Sequence, residues 1–131
     1  LIAGHPDWMK ELDKLRLPYN INSLTQATAC FAIDHWSVFR AQIENICTER
    51  DRVYSALSSM QGIQAFPSDT NFILFRVSGN RAENIHAQLL KEKILIKCLH
   101  RPGTALENCL RVTIGRPHEN DAFLSSLTSL L

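Results

Sequence analysis

The clearest alternation of apolar and polar positions runs from Cys109 to Ile114, where Leu110, Val112 and Ile114 interleave with Cys109, Arg111 and Thr113. A period of two is that of a half-buried strand, so Arg111 is expected on the face opposite the branched residues. Gly115 ends this strand. Pro117 suits the first turn of a helix running to about Leu130, with Phe123, Leu124 and Leu127 inward. Upstream, Pro6 and Asp7 open a helix whose apolar side is Trp8, Met9, Leu12 and Leu15. Leu17 to Asn22 reads as an extended connector around Pro18. Ser23-Leu24-Thr25-Gln26 has the form of a capping box and starts a second helix, which pauses near Asp34 and His35. From Ser37 to Met60, Phe39, Ile43, Ile46, Val53, Leu57 and Met60 make one helical stripe. Glu44, Glu49, Arg50, Asp51 and Arg52 fill its solvated face. Gly62 stands where a glycine cap closes that helix. Strands follow at Ile63–Phe66, Asn71–Val77 and Ile94–Leu99, with a helix from Ala82 to Glu92 before the last of them. The Asn71–Val77 strand is apolar on both faces and therefore expected to be central. Helices first and short strands later suit an α+β arrangement, a small sheet covered on one face by helices.

Composition narrows the class without naming a chemistry. The 131 residues, 45% hydrophobic and 21% charged, make one soluble globular domain's worth of chain. A formal charge of +1 gives no broad basic field, so nucleic acid is not an expected partner. No apolar run approaches the roughly 20 residues that span a bilayer, and a cytoplasmic location is expected. Cys30, Cys47, Cys98 and Cys109 lack CxxC spacing and read as buried thiols of a reducing compartment, neither a disulfide framework nor a metal site. The opening Leu1-Ile2-Ala3-Gly4 reads as the end of a strand, so the chain is expected to be a piece of a longer protein.

A self-contained catalytic site is not expected. There is no G-x-S-x-G elbow, no glycine-rich phosphate loop and no H-E-x-x-H. The five histidines are scattered, and Lys10, Lys14, Lys91 and Lys93 have charged helical surroundings. A cationic pair is left over. Lys97 falls in the middle of one strand and Arg111 in the middle of the next. Adjacent strands would put both on one face, where they repel unless an anion lies between them. Arginine suits a carboxylate or phosphate through its planar fork. A solvated or salt-bridged arginine on an open sheet face is the alternative.

Three stretches carry a resemblance. Leu17-Pro18-Tyr19-Asn20-Ile21-Asn22-Ser23-Leu24-Thr25-Gln26, Pro67-Ser68-Asp69-Thr70-Asn71-Phe72-Ile73-Leu74-Phe75-Arg76 and Cys109-Leu110-Arg111-Val112-Thr113-Ile114-Gly115 are similar, in that order, to the C-terminal portion of the histidinol-phosphate aminotransferase family. Those enzymes belong to the fold-type I group dependent on pyridoxal 5′-phosphate. The resemblance implies a small C-terminal domain with a mostly antiparallel sheet at residues 37–131. Residues 17–36 would be a connector and linking helix, and residues 1–16 the end of the large cofactor-binding domain with its exit helix. It implies that Arg111 binds the acidic group of the substrate. Lys97 would stand where the family has a second arginine, keeping the charge and losing the fork. The family's Schiff-base lysine lies in a serine-lysine segment ahead of the position of Leu1, so no catalytic residue and no pyridoxal phosphate are expected on this chain alone. The implied parent is a cytoplasmic homodimer that moves an amino group between histidinol phosphate and 2-oxoglutarate, while the isolated chain is inactive. An aminotransferase for other amino acids, aromatic ones for example, and a free-standing ligand-binding or interaction domain are the alternatives.

Overall fold

Two helices near the start bury nothing, whereas the second half of the chain closes a core. The computed structural model describes residues 3–15, 17, 21–79 and 81–131. The chain divides into two compact units, Leu1–Phe39 and Arg40–Leu131.

In the first unit, α1 (Pro6–Asp13) has proline in its first turn and His5 as N-cap, with the imidazole Nδ1 accepting from the Asp7 N–H. The second helix, α2 (Ser23–Asp34), starts where the sequence suggests, although Ser23 is not its cap. Asn22 takes that place, with extended backbone and an Oδ1 that accepts from the Thr25 N–H at 2.8 Å. Asparagine reaches the third amide of the helix as serine does, and the Gln26 side chain instead donates to the Ile21 carbonyl. Residues 18–20 of the expected connector, and the strand end at Leu1 and Ile2, lie outside the described residues.

The pause at His35 gives way to α3 (Trp36–Ser59), of which only Val53 and Leu57 are fully buried. Ile43 and Ile46, expected on the same inward stripe, are exposed. Beyond Gly62, whose φ of +82° fits the left-handed turn glycine tolerates, come β1 (Ile63–Ala65), β2 (Phe72–Val77), α4 (Ala82–Lys91), β3 (Lys97–Cys98), β4 (Cys109–Thr113) and α5 (Pro117–Leu130). The four strands form one antiparallel sheet in the order β1-β2-β4-β3. The expected strand over Ile94–Leu99 is thus cut to two residues. The Ile94 N–H donates to the Leu89 carbonyl and the Ile96 carbonyl meets His86 Nε2, so the start of that stretch is tied to α4 and not to the sheet.

β2 is central, as its composition implied, but its two faces are not equivalent. Ile73, Phe75 and Val77 are fully buried, while Phe72, Leu74 and Arg76 are half-buried. The buried face meets Leu110, Val112 and Ile114 from the β4 stretch, Ala82, Ile85 and Leu89 from α4, Phe123 and Leu127 from α5, and Val53 and Leu57 from α3. Helices therefore cover one face of an α+β sheet. The four cysteines are free thiols, and only Cys109 is buried; Cys30 is exposed, which corrects the expectation of four buried thiols. Cys30 sits on a helix that buries none of its residues.

Candidate anion-binding site

The pleat that sends Leu110 and Val112 into the core sends Arg111 the other way. Register then decides what stands beside it. Arg111 pairs with Leu74 on one side and with Lys97 on the other. The two cations singled out in the sequence are therefore direct cross-strand neighbours on the face away from the helices.

A third cation, Arg76, shares this face, and its environment is a useful contrast. Its guanidinium donates to the carbonyls of Ala105 (2.8 Å) and Glu107 (3.1 Å) and to the Gln64 side chain, and lies over the Phe66 ring. Arg76 is fully employed in bracing the loop before β4. Arg111 is not. Its guanidinium carbon sits 4.7 Å from the centroid of the Phe72 ring. Its Nε is buried and has no hydrogen-bond partner. Among the described residues no carboxylate pairs with Arg111 or Lys97. A charged donor removed from water and left unpaired is costly, so the arrangement suits an incoming anion. Stacking on Phe72 holds the guanidinium plane while leaving its N–H edge free for a carboxylate or phosphate.

Lys97 is exposed at the sheet edge, able to add charge but not a fixed geometry. Phe72 was missed in the sequence because its role depends on register: it pairs with Thr113, one step along the same face from Arg111. Glu49 and Arg52, taken there as part of a solvated helix face, instead reach α5. Arg52 bonds Asp121 at 2.8 Å, and Glu49 accepts from Asn120 at 2.8 Å. Nothing close in sequence signals either contact.

No group of three metal-ligating side chains occurs among the described residues. All five lysines are exposed. The chain thus offers no desolvated amine of the kind that a carbonyl cofactor condenses with. What it offers is a guanidinium with an unpartnered Nε on the sheet face away from the helices.

A small antiparallel sheet, helices on one face and an arginine with an unpartnered Nε on the other make up the second unit. The chain belongs to the class I and II aminotransferases, whose family model matches residues 1–127. It is 45% identical over 130 residues to histidinol-phosphate aminotransferase 1 of Ralstonia nicotianae, covering 99% of this chain and 34% of that protein. Among solved structures it is similar to the L-threonine-O-3-phosphate decarboxylase of Porphyromonas gingivalis (TM-score 0.81, 26% identity, 98% of this chain and 40% of that one). It is also similar to the histidinol-phosphate aminotransferase of Clostridium acetobutylicum (TM-score 0.79, 25% identity, 95% and 37%). The chain spans about a third of the length of the curated relatives it matches.

Proposed function

We propose that this chain is the substrate-anchoring third of a pyridoxal 5′-phosphate-dependent aminotransferase that exchanges an amino group between histidinol phosphate and 2-oxoglutarate. The observation that carries the proposal is the buried, unpartnered Nε of Arg111 beside an unpaired Lys97. Arg111 holds the acidic group of each substrate in turn, Phe72 fixes the guanidinium plane, and Lys97 adds charge at the rim. Residues 37–131 act as the small domain of the whole enzyme, residues 17–36 as the connector and residues 1–16 as the exit from its large domain. The whole enzyme is a cytoplasmic homodimer. No helix among the described residues is long and apolar enough to cross a membrane.

The residues of this chain do not fit the reactive end of the cofactor, since every lysine is exposed. Bound elsewhere in the whole enzyme, the cofactor supplies the electron sink for amino transfer. A second reading has a specific observation behind it. The likeness to a decarboxylase of a phosphorylated amino acid favours another phosphate-bearing substrate on the same anchor.

The test is steady-state kinetics of the whole enzyme with histidinol phosphate and 2-oxoglutarate. Arg111→Ala should lose roughly 2–5 kcal/mol of substrate binding, as does truncation of one partner of a buried charge pair, and Lys97→Ala should lose less. Release of carbon dioxide from a phosphorylated amino acid without amino transfer would favour the second reading. Full activity of Arg111→Ala on both substrates would contradict the first.

A further inference from the structure

Asn120 is the one buried polar side chain among the described residues, 3% exposed. It uses its whole amide. Its Oδ1 accepts from the Gly115 N–H at 2.9 Å, and its Nδ2 donates to the Gly115 carbonyl at 3.1 Å and to Glu49 Oε2 at 2.8 Å. One side chain thus grips both backbone groups of the residue that ends the Arg111 strand stretch and ties them to α3. The tie is braced. Arg52 donates to both oxygens of Glu49, at 3.0 and 2.7 Å, and reaches Asp121 at 2.8 Å. Ordinary core packing does not require this. Leu110, Val112 and Ile114 already bury the strand, and an apolar residue at position 120 would add burial without an amide to satisfy. What the clamp adds is position: through Glu49 it ties the end of the Arg111 strand stretch to α3.

We infer that Asn120, held by Glu49, is a positioning residue for Arg111: by tying Gly115 to α3 it fixes where the strand places the guanidinium against the substrate anion. The inference rests on the reading of Arg111 as the anion anchor. Asn120 does not touch the substrate; it acts through the strand.

The test is a double-mutant comparison in the whole enzyme, read as KM for histidinol phosphate and as kcat. With Arg111 intact, Asn120→Ala should raise KM about tenfold and change kcat little, a coupling of the size found between connected groups. In an Arg111→Ala background it should raise KM no further. Glu49→Ala leaves the core filled and should show the same dependence on Arg111. Glu49→Gln keeps an acceptor oxygen for Asn120 and should restore KM. A rise of equal size in both backgrounds would reduce Asn120 to a purely structural role and overturn the inference, as would silence of both the Asn120→Ala and Glu49→Ala variants. Were Asn120→Ala not to fold, the Glu49 pair decides alone. The two readings fail separately: an Arg111→Ala variant with unchanged KM removes the anchor and the clamp together, whereas a raised KM there with silent clamp variants removes the clamp only.

Discussion

Two arginines on one sheet face, Arg76 and Arg111, differ in what surrounds them. Arg76 spends its donors on loop carbonyls, whereas the Arg111 Nε has no partner. Phe72 is what holds Arg111 meanwhile. Phe72→Leu keeps the apolar bulk and removes the ring, so substrate affinity should fall by about 0.5–2 kcal/mol, the range of a cation–π contact; an unchanged dissociation constant would show the ring to be incidental. A second residue-scale prediction concerns Glu49. Hydrogen bonds from Arg52 first and Asn120 second hold its carboxyl below the ordinary value of 4.5. A depressed carboxylate stabilises the fold above its unfolded pKa, and the contribution is lost as pH falls through the folded value. The urea midpoint of the native chain should therefore exceed that of Glu49→Gln at neutral pH, with the gap closing below about pH 4.5. A gap unchanged down to pH 3 would contradict the ion-pair geometry.

At the scale of elements, the corner between β4 and α5 concentrates several constraints. A Cβ on Gly115 would lie 2.7 Å from Glu119 Oε2 and 3.3 Å from Glu119 Cβ. Glu119 uses that oxygen to accept from the Arg116 N–H at 2.7 Å, closing the cap of α5. Gly115→Ala should push Glu119 out and cost about the 0.5–2 kcal/mol of a lost helix cap. In a Glu119→Ala background the same change should cost clearly less, which thermal denaturation of the four variants would check. Much of this scale was legible in the sequence. Strict alternation at Leu110, Val112 and Ile114 gave the face of Arg111, and prolines at positions 6 and 117 marked helix starts. The order in space was less so. Nothing local tells β4 to insert between β2 and β3, and that insertion is what puts Lys97 opposite Arg111. The capping pattern at Ser23 misled by one residue because asparagine and serine cap alike. The Glu49–Asn120 contact was hidden for the same kind of reason, since it joins residues 71 apart.

For the whole molecule, what matters is what the chain lacks as much as what it holds. The helices of the first unit bury no residue, and Trp8, Leu15, Leu24 and Ile33 are each more than two-thirds exposed. Apolar surface on that scale marks a contact face. The isolated chain should therefore self-associate as its concentration rises, and light scattering that reports a monomer throughout would count against it. Mixed with pyridoxal 5′-phosphate and then reduced with borohydride, the isolated chain should show no single, stoichiometric pyridoxyl-lysine by mass spectrometry. The most direct test of the account is calorimetric titration of the whole enzyme with histidinol phosphate, comparing the native protein with Arg111→Ala. Binding should weaken by at least about thirtyfold, the lower end of what truncating a buried charge partner removes. Equal dissociation constants for the two proteins would contradict it.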